Sequence, residues 1–124
     1  SIIPLTPDRF NPRGDWYLLM AVVKMVTTLP GDWKEFEVGE WAHVHIENLL
    51  AACIQIERIR SMYRWDGIVN SEEEWRLTLT TTHEKASILA KSIEKSSPYD
   101  VPQIIWNTVD ASEAYSSWTE GAIK

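Results

Sequence analysis

Residues 54–82 read IQIERIRSMYRW-DG-IVNSEEEWRLTLTTT, and this stretch decides the fold. Its second half alternates, with Trp75, Leu77, Leu79 and Thr81 on one side of an extended chain and Arg76, Thr78, Thr80 and Thr82 on the other. Successive side chains of a strand point to opposite faces, so the pattern predicts one apolar face and one hydroxyl-rich face. In the first half Ile54 and Ile56 alternate with Gln55 and Glu57, whereas Ile59, Ser61, Tyr63 and Trp65 continue on the opposite parity. One extra residue near Glu57-Arg58 would produce that change as a β-bulge. Between the halves stands Asp66-Gly67, a pair suited to a type I′ turn, whose two central residues need positive φ. The stretch is therefore a long hairpin.

Working outward, Val38, Trp41, His45, Leu49 and Ala52 recur at three- and four-residue spacing within residues 32–52, one face of a helix. Gly39 lies inside the pattern and weakens it by about 1 kcal/mol relative to alanine. Before it, residues 16–28 form a valine-rich apolar run that ends at Leu29-Pro30-Gly31, a strand followed by a turn. After the hairpin, Thr81 and Glu84 fit a capping box, and Ala86, Leu89, Ala90 and Ile93 give a second amphipathic helix. Ile104, Ile105 and Trp106 supply a fourth strand, and residues 111–118 a last helical piece. The order β-α-β-β-α-β predicts an α+β, ferredoxin-like antiparallel sheet with two helices on one face, plus a short C-terminal helix. Residues 1–15, with three prolines and no periodicity, read as an irregular arm, and residues 16–124 as a single domain.

The 124-residue length and 44% apolar content suit one core. A net charge of −6 argues against binding nucleic acid or an anionic membrane and leaves small basic or neutral partners. A lone cysteine, Cys53, allows no intrachain disulfide and reads as a buried small hydrophobe. With no apolar run of the roughly 20 residues that a membrane span needs, and no signal-peptide pattern, the expected location is cytoplasmic. Seven tryptophans exceed what one small core buries easily, so several are expected at a subunit interface. The sheet face left bare by the helices offers that interface.

The second helix stops at Ser97-Pro98-Tyr99-Asp100-Val101-Pro102-Gln103. Each proline fixes its own φ and pushes the preceding residue out of helical space, making a rigid turn that holds a phenol and a carboxylate. Metal arrangements are thin. On a helix His43 and His45 diverge by about 200°, leaving His45 toward the core and His43 in solvent. His83 beside Glu84 reads as a solvated capping turn, and Glu72-Glu73-Glu74 as a solvated flank. No phosphate loop, nucleophile elbow or metalloprotease helix is present, so no enzyme is expected.

Leu50-Ala51-Ala52-Cys53, Ser61-Met62-Tyr63-Arg64-Trp65-Asp66-Gly67, the 97–103 turn and Ala114-Tyr115-Ser116-Ser117-Trp118, in this order, resemble the motifs of the CutA family of divalent-cation tolerance proteins. The resemblance covers residues 49–118, with Thr27-Thr28-Leu29-Pro30 similar to the family's Thr-x-Pro turn. It implies a homotrimer, similar to PII-type signalling trimers, with hairpins reaching between subunits and a role in tolerance of divalent cations, copper above all, without catalysis. Copper is thus the one cofactor implied, and the family's cysteine and histidine ligand positions carry Thr27 and Ser97, hydroxyls unsuited to copper. Tyr63, Trp65, Tyr99 and Asp100 are the candidates to line an inter-subunit cleft for a small ligand or cation. The competing reading is a structural trimer that presents its divergent first 48 residues to a protein partner.

Overall fold

The computed structural model describes residues 21–124. The 1–15 arm and the first five residues of the 16–28 strand lie outside the described residues. The element order is β1 (Val22–Pro30), α1 (Glu35–Glu47), β2 (Cys53–Trp65), β3 (Ile68–Thr82), α2 (His83–Ser96), β4 (Ile105–Val109) and α3 (Glu113–Ala122). The strands form one sheet in the order β2-β3-β1-β4, with every neighbouring pair antiparallel. This is the ferredoxin-like arrangement expected from the sequence.

The long hairpin sets the architecture. Asp66 and Gly67 take φ of 51° and 76°, the left-handed pair that a tight turn between Trp65 and Ile68 requires. From that turn the ladder runs unbroken from the Trp65–Ile68 pair to the Cys53–Thr80 pair, so the expected bulge near Glu57-Arg58 does not exist. The parity change has another origin. β1 pairs with β3 only as far as Pro30 opposite Glu74, and beyond that point the hairpin projects as two strands. Ile54 packs against the domain's own core, whereas Ile59 and Ser61 are half-buried on the opposite face of the projecting part.

Val23, Met25 and Leu29 of β1 and Leu77 and Leu79 of β3 meet Val38, Trp41 and Ala42 of α1 and Ala86, Leu89 and Ile93 of α2. The core therefore lies between the sheet and these two helices. The intervening positions pair Lys24 with Thr80, Val26 with Thr78 and Thr28 with Arg76, forming the hydroxyl-rich face turned away from the helices. α3 packs against β3 and buries Ser116 and Thr119, with Ile123 buried just beyond its end.

Several boundaries differ from expectation for local reasons. α1 spans Glu35–Glu47, shorter than residues 32–52. Leu49 turns to φ 60° and is exposed, and the amides of Leu50 and Ala51 then donate to the carbonyl of His45, which closes the helix. The cap of α2 is Thr82, whose hydroxyl accepts from the Lys85 amide at 3.3 Å. Thr81 points into the core with Leu77 and Leu79 and donates instead to the Leu50 carbonyl at 2.8 Å. β4 begins at Ile105 and runs on to Val109; α3 begins at Glu113, capped by the Ser112 hydroxyl, and runs to Ala122. Cys53 is half-buried where full burial was expected, because it opens an edge strand.

His45 does lie in the core, 1% exposed, with Nδ1 3.1 Å from Ser92 Oγ and its ring 4.3 Å from that of Trp41. Burial lowers its pKa, which keeps the imidazole neutral. His43 lies in solvent and meets Glu47 at 2.8 Å. Thr27 is also 1% exposed, between Met25 and Leu29 on the helix side, and its hydroxyl has no partner among the described residues. A buried hydroxyl that bonds nothing is a liability, and valine has its shape without its polarity. Thr27→Val should therefore raise stability by about 1 kcal/mol. Urea titration checks this, and a lowered midpoint would show that the hydroxyl has a partner in solution.

Candidate functional site

Register places Ser61, Tyr63 and Trp65 of β2 on the same side of the projecting hairpin as Glu72 and Glu74 of β3, the side away from the two helices. Thr28 lies on the same sheet face one strand over. The 97–103 turn closes over this row. Ser97 is extended, with φ −76° and ψ 140°, as a residue before proline must be. Its hydroxyl accepts the Tyr99 amide at 3.2 Å, and the Tyr99 hydroxyl donates to Glu74 Oε2 at 2.5 Å. That bond joins the turn to the hairpin across 25 residues of sequence.

Between turn and hairpin opens a cleft of 660 Å³, within the range of small-molecule sites. Tyr63, Trp65, Tyr99 and Asp100, the four candidates from the sequence, all line it, together with Thr28, Ser61, Glu74 and Gln103. Within one chain these residues already face a common space. Neither Thr27 nor Ser97 lines it. Thr27 points toward the helices, and the Ser97 hydroxyl is engaged by the turn.

Of the acidic run read as a solvated flank, Glu72 and Glu73 are exposed and Glu74 alone is buried, which corrects the reading at that residue. Glu73 meets Arg58 at 3.0 Å and Arg60 at 3.8 Å on the helix side. Glu74 is 9% exposed and accepts from Tyr99. Glu72 pairs with Ser61 in the ladder and interacts with the Tyr63 hydroxyl. Alternation divides consecutive residues between faces, so parity with Trp65 and Ser61 was the signal that could have found Glu74.

Burial, followed by the hydrogen bond to the Glu74 carboxylate, pushes the Tyr99 phenol far above its usual pKa. Tyr63 is raised as well, by desolvation first and then by Glu72. Both phenols remain protonated donors at neutral pH. The residues do not fit copper, because a partnerless hydroxyl within an apolar core and a hydroxyl engaged by a turn offer no soft donor. Among the described residues, no group of three His, Cys, Asp or Glu side chains is arranged to hold a metal ion, and no helix is long and apolar enough to cross a membrane.

A family profile described as CutA1 divalent ion tolerance protein matches residues 24–122. The divalent-cation tolerance protein CutA of Thermotoga maritima is 29% identical over 103 residues, covering 82% of this chain and 99% of the relative. Protein CutA, chloroplastic, of Arabidopsis thaliana is 30% identical over 135 aligned positions, covering 100% of this chain and 72% of the relative. Among solved structures, CutA of Synechococcus elongatus has a TM-score of 0.78 at 29% identity, covering 85% of this chain and 92% of that one. CutA1 of Pyrococcus horikoshii has a TM-score of 0.75 at 28% identity, covering 82% and 98%.

Proposed function

The chain belongs to the CutA family of divalent-ion tolerance proteins, and from that premise we propose that it is a non-catalytic homotrimer whose clefts bind a small ligand or cation in a tolerance or regulatory role. The observation that carries this reading is the cleft itself, where a buried carboxylate, two protonated phenols and an indole converge on a space large enough for a ligand. The hydroxyls that meet carboxylates there, Tyr63 with Glu72 and Tyr99 with Glu74, are phenols whose pKa is raised, the reverse of an activated nucleophile, which favours binding over turnover.

Assembly is supported by the hairpin. Two strands alone are marginally stable in water, yet this hairpin projects with Met62, Trp65, Ile68 and Val69 all at least half exposed. Exposed apolar groups so close together mark an interface. A second copy on this side would wall the cleft and cover the tryptophan. Sedimentation should give three times the 14.3 kDa chain mass, and a monomer at micromolar concentration would remove this part of the proposal. The compartment we assign is the cytoplasm; the chloroplastic Arabidopsis relative makes the plastid the competing one, and fractionation separates them.

Ligand binding is tested by thermal unfolding with divalent cations and with cationic, neutral and anionic small molecules. A ligand at a hundred times its Kd should stabilise the fold by about 2.7 kcal/mol, a rise of several degrees in Tm. If no class shifts the transition at saturating concentration, the cleft is not a ligand site.

A further inference from the structure

We propose that the cleft selects an organic ammonium ion, a protonated or quaternary amine carried on an apolar body, over anions and over bare metal ions. The inference rests on the reading of the cleft as a ligand site and adds the chemistry of what enters it.

Among the described residues, the charged side chains that line the cleft carry only one sign of charge. Glu74 lies at its base, where Tyr99 holds it, and Asp100 stands exposed on the turn. Glu72 acts electrostatically on both phenols from the same hairpin face. Among the described residues, no lysine or arginine lines the cleft. The arginines of the hairpin are engaged elsewhere. Arg58 and Arg60 meet Glu73, Arg64 donates to the Gly67 carbonyl at 3.1 Å, and Arg76 is bound to Glu57 at 2.8 Å. An anion entering the cleft would therefore face carboxylates without a basic partner.

The remaining walls are aromatic and apolar. Trp65 is 50% exposed, and Tyr63 shows a similar amount of surface. An indole face beside carboxylates is the combination that recognises a weakly hydrated ammonium, through the ring quadrupole and the opposite charge together. Pro98 and Val101 of the turn supply apolar surface for the body of the ligand. A bare divalent ion has less to gain, since the described residues include no cluster of ligating side chains and an indole contributes no donor atom.

The test is calorimetric titration of the full chain with four probes: benzyltrimethylammonium, benzyl alcohol, benzoate and cupric ion. The expected result is saturable binding of benzyltrimethylammonium, with benzyl alcohol and benzoate at least about tenfold weaker, the equivalent of 1.4 kcal/mol. Asp100→Asn, an exposed isosteric change that leaves the fold intact, should weaken ammonium binding several-fold, and Trp65→Leu should weaken it further. If benzoate, benzyl alcohol or copper binds as well or better, the inference is overturned and the cleft remains a ligand site. Ammonium binding that is unchanged in Asp100→Asn also overturns it, because the cation is then held elsewhere. If none of the probes binds, the inference is overturned, and the thermal panel separately decides whether the cleft reading survives.

Discussion

Gly31→Ala should lower stability by about 3 kcal/mol, the largest loss expected from a methyl group added at any of the described glycines. A Cβ at Gly31 would lie 2.1 Å from the Glu73 carbonyl oxygen and 2.6 Å from its carbon. Both atoms are backbone of β3, so no rotamer change relieves the clash. The chain at Gly31 must move away from β3, or β3 must bend. Moving the chain would break the Arg58 bond to the Gly31 carbonyl, now 2.8 Å, and strain the last β1–β3 pair, Pro30 with Glu74. Arg58 also stacks 4.7 Å above the Trp75 ring and pairs with Glu73, so one displacement disturbs three contacts. Because native domains are stable by only about 5–15 kcal/mol, a drop in Tm of roughly 10 °C is expected by calorimetry. The comparison must be made at equal chain concentration, since assembly adds to apparent stability. A Tm within a degree or two of the parent would mean that the close approach of Gly31 to β3 is absent in solution.

Tyr99→Phe is expected to have the next largest effect, a loss of about 2 kcal/mol, the range for a hydrogen bond to a charged group. The substitution removes one oxygen and leaves the Glu74 carboxylate, 9% exposed, without its donor. It also releases the turn from the hairpin. The two residues should couple in a double-mutant cycle with Glu74→Gln by more than 1 kcal/mol, roughly, whereas independent groups add within a few tenths. Additivity would show that the bond carries nothing. Ligand affinity should fall in the same variant, because the turn that bears Asp100 is no longer fixed over Trp65.

These two positions also show what the sequence could and could not convey. The alternation from Trp75 to Thr82 and the Asp66-Gly67 pair were enough to place the hairpin, because period-two burial and positive φ are local properties. The unbroken β2 ladder was not legible. A change of apolar parity reports which face finds cover: Ile54 finds it against the helix-side core, and Ile59 and Ser61 on the opposite face of the projecting half. Thr81 and Thr82 were confused as caps because a local spacing competed with the strand alternation. Both are threonines, and although the alternation already put Thr81 on the apolar face, its three-residue spacing to Glu84 imitates a capping box, whereas Thr82 is the residue that caps.

The candidate site was half legible. Tyr99 and Asp100 stood out because two prolines fix their turn, and Tyr63 and Trp65 because they follow the strand pattern toward a glycine turn. Glu74 was hidden inside a run of three acids, where composition suggests solvent and only alternation separates it from Glu73. Thr28 was overshadowed by Thr27, the neighbour at the family's cysteine position, although Thr28 is the one that reaches the cleft.

The most direct measurement of the central claim, that the cleft beneath the 97–103 turn is the ligand site, follows the tryptophan indole N–H resonances of a nitrogen-labelled chain. Each compound that raises Tm is titrated in turn. Trp41 donates its indole to the Ser96 carbonyl and Trp75 to the Trp33 carbonyl, both away from the cleft, and they serve as internal references. The Trp65 resonance should move saturably while those two stay fixed. A Trp65 resonance that stays fixed while a ligand saturates the chain would contradict that claim.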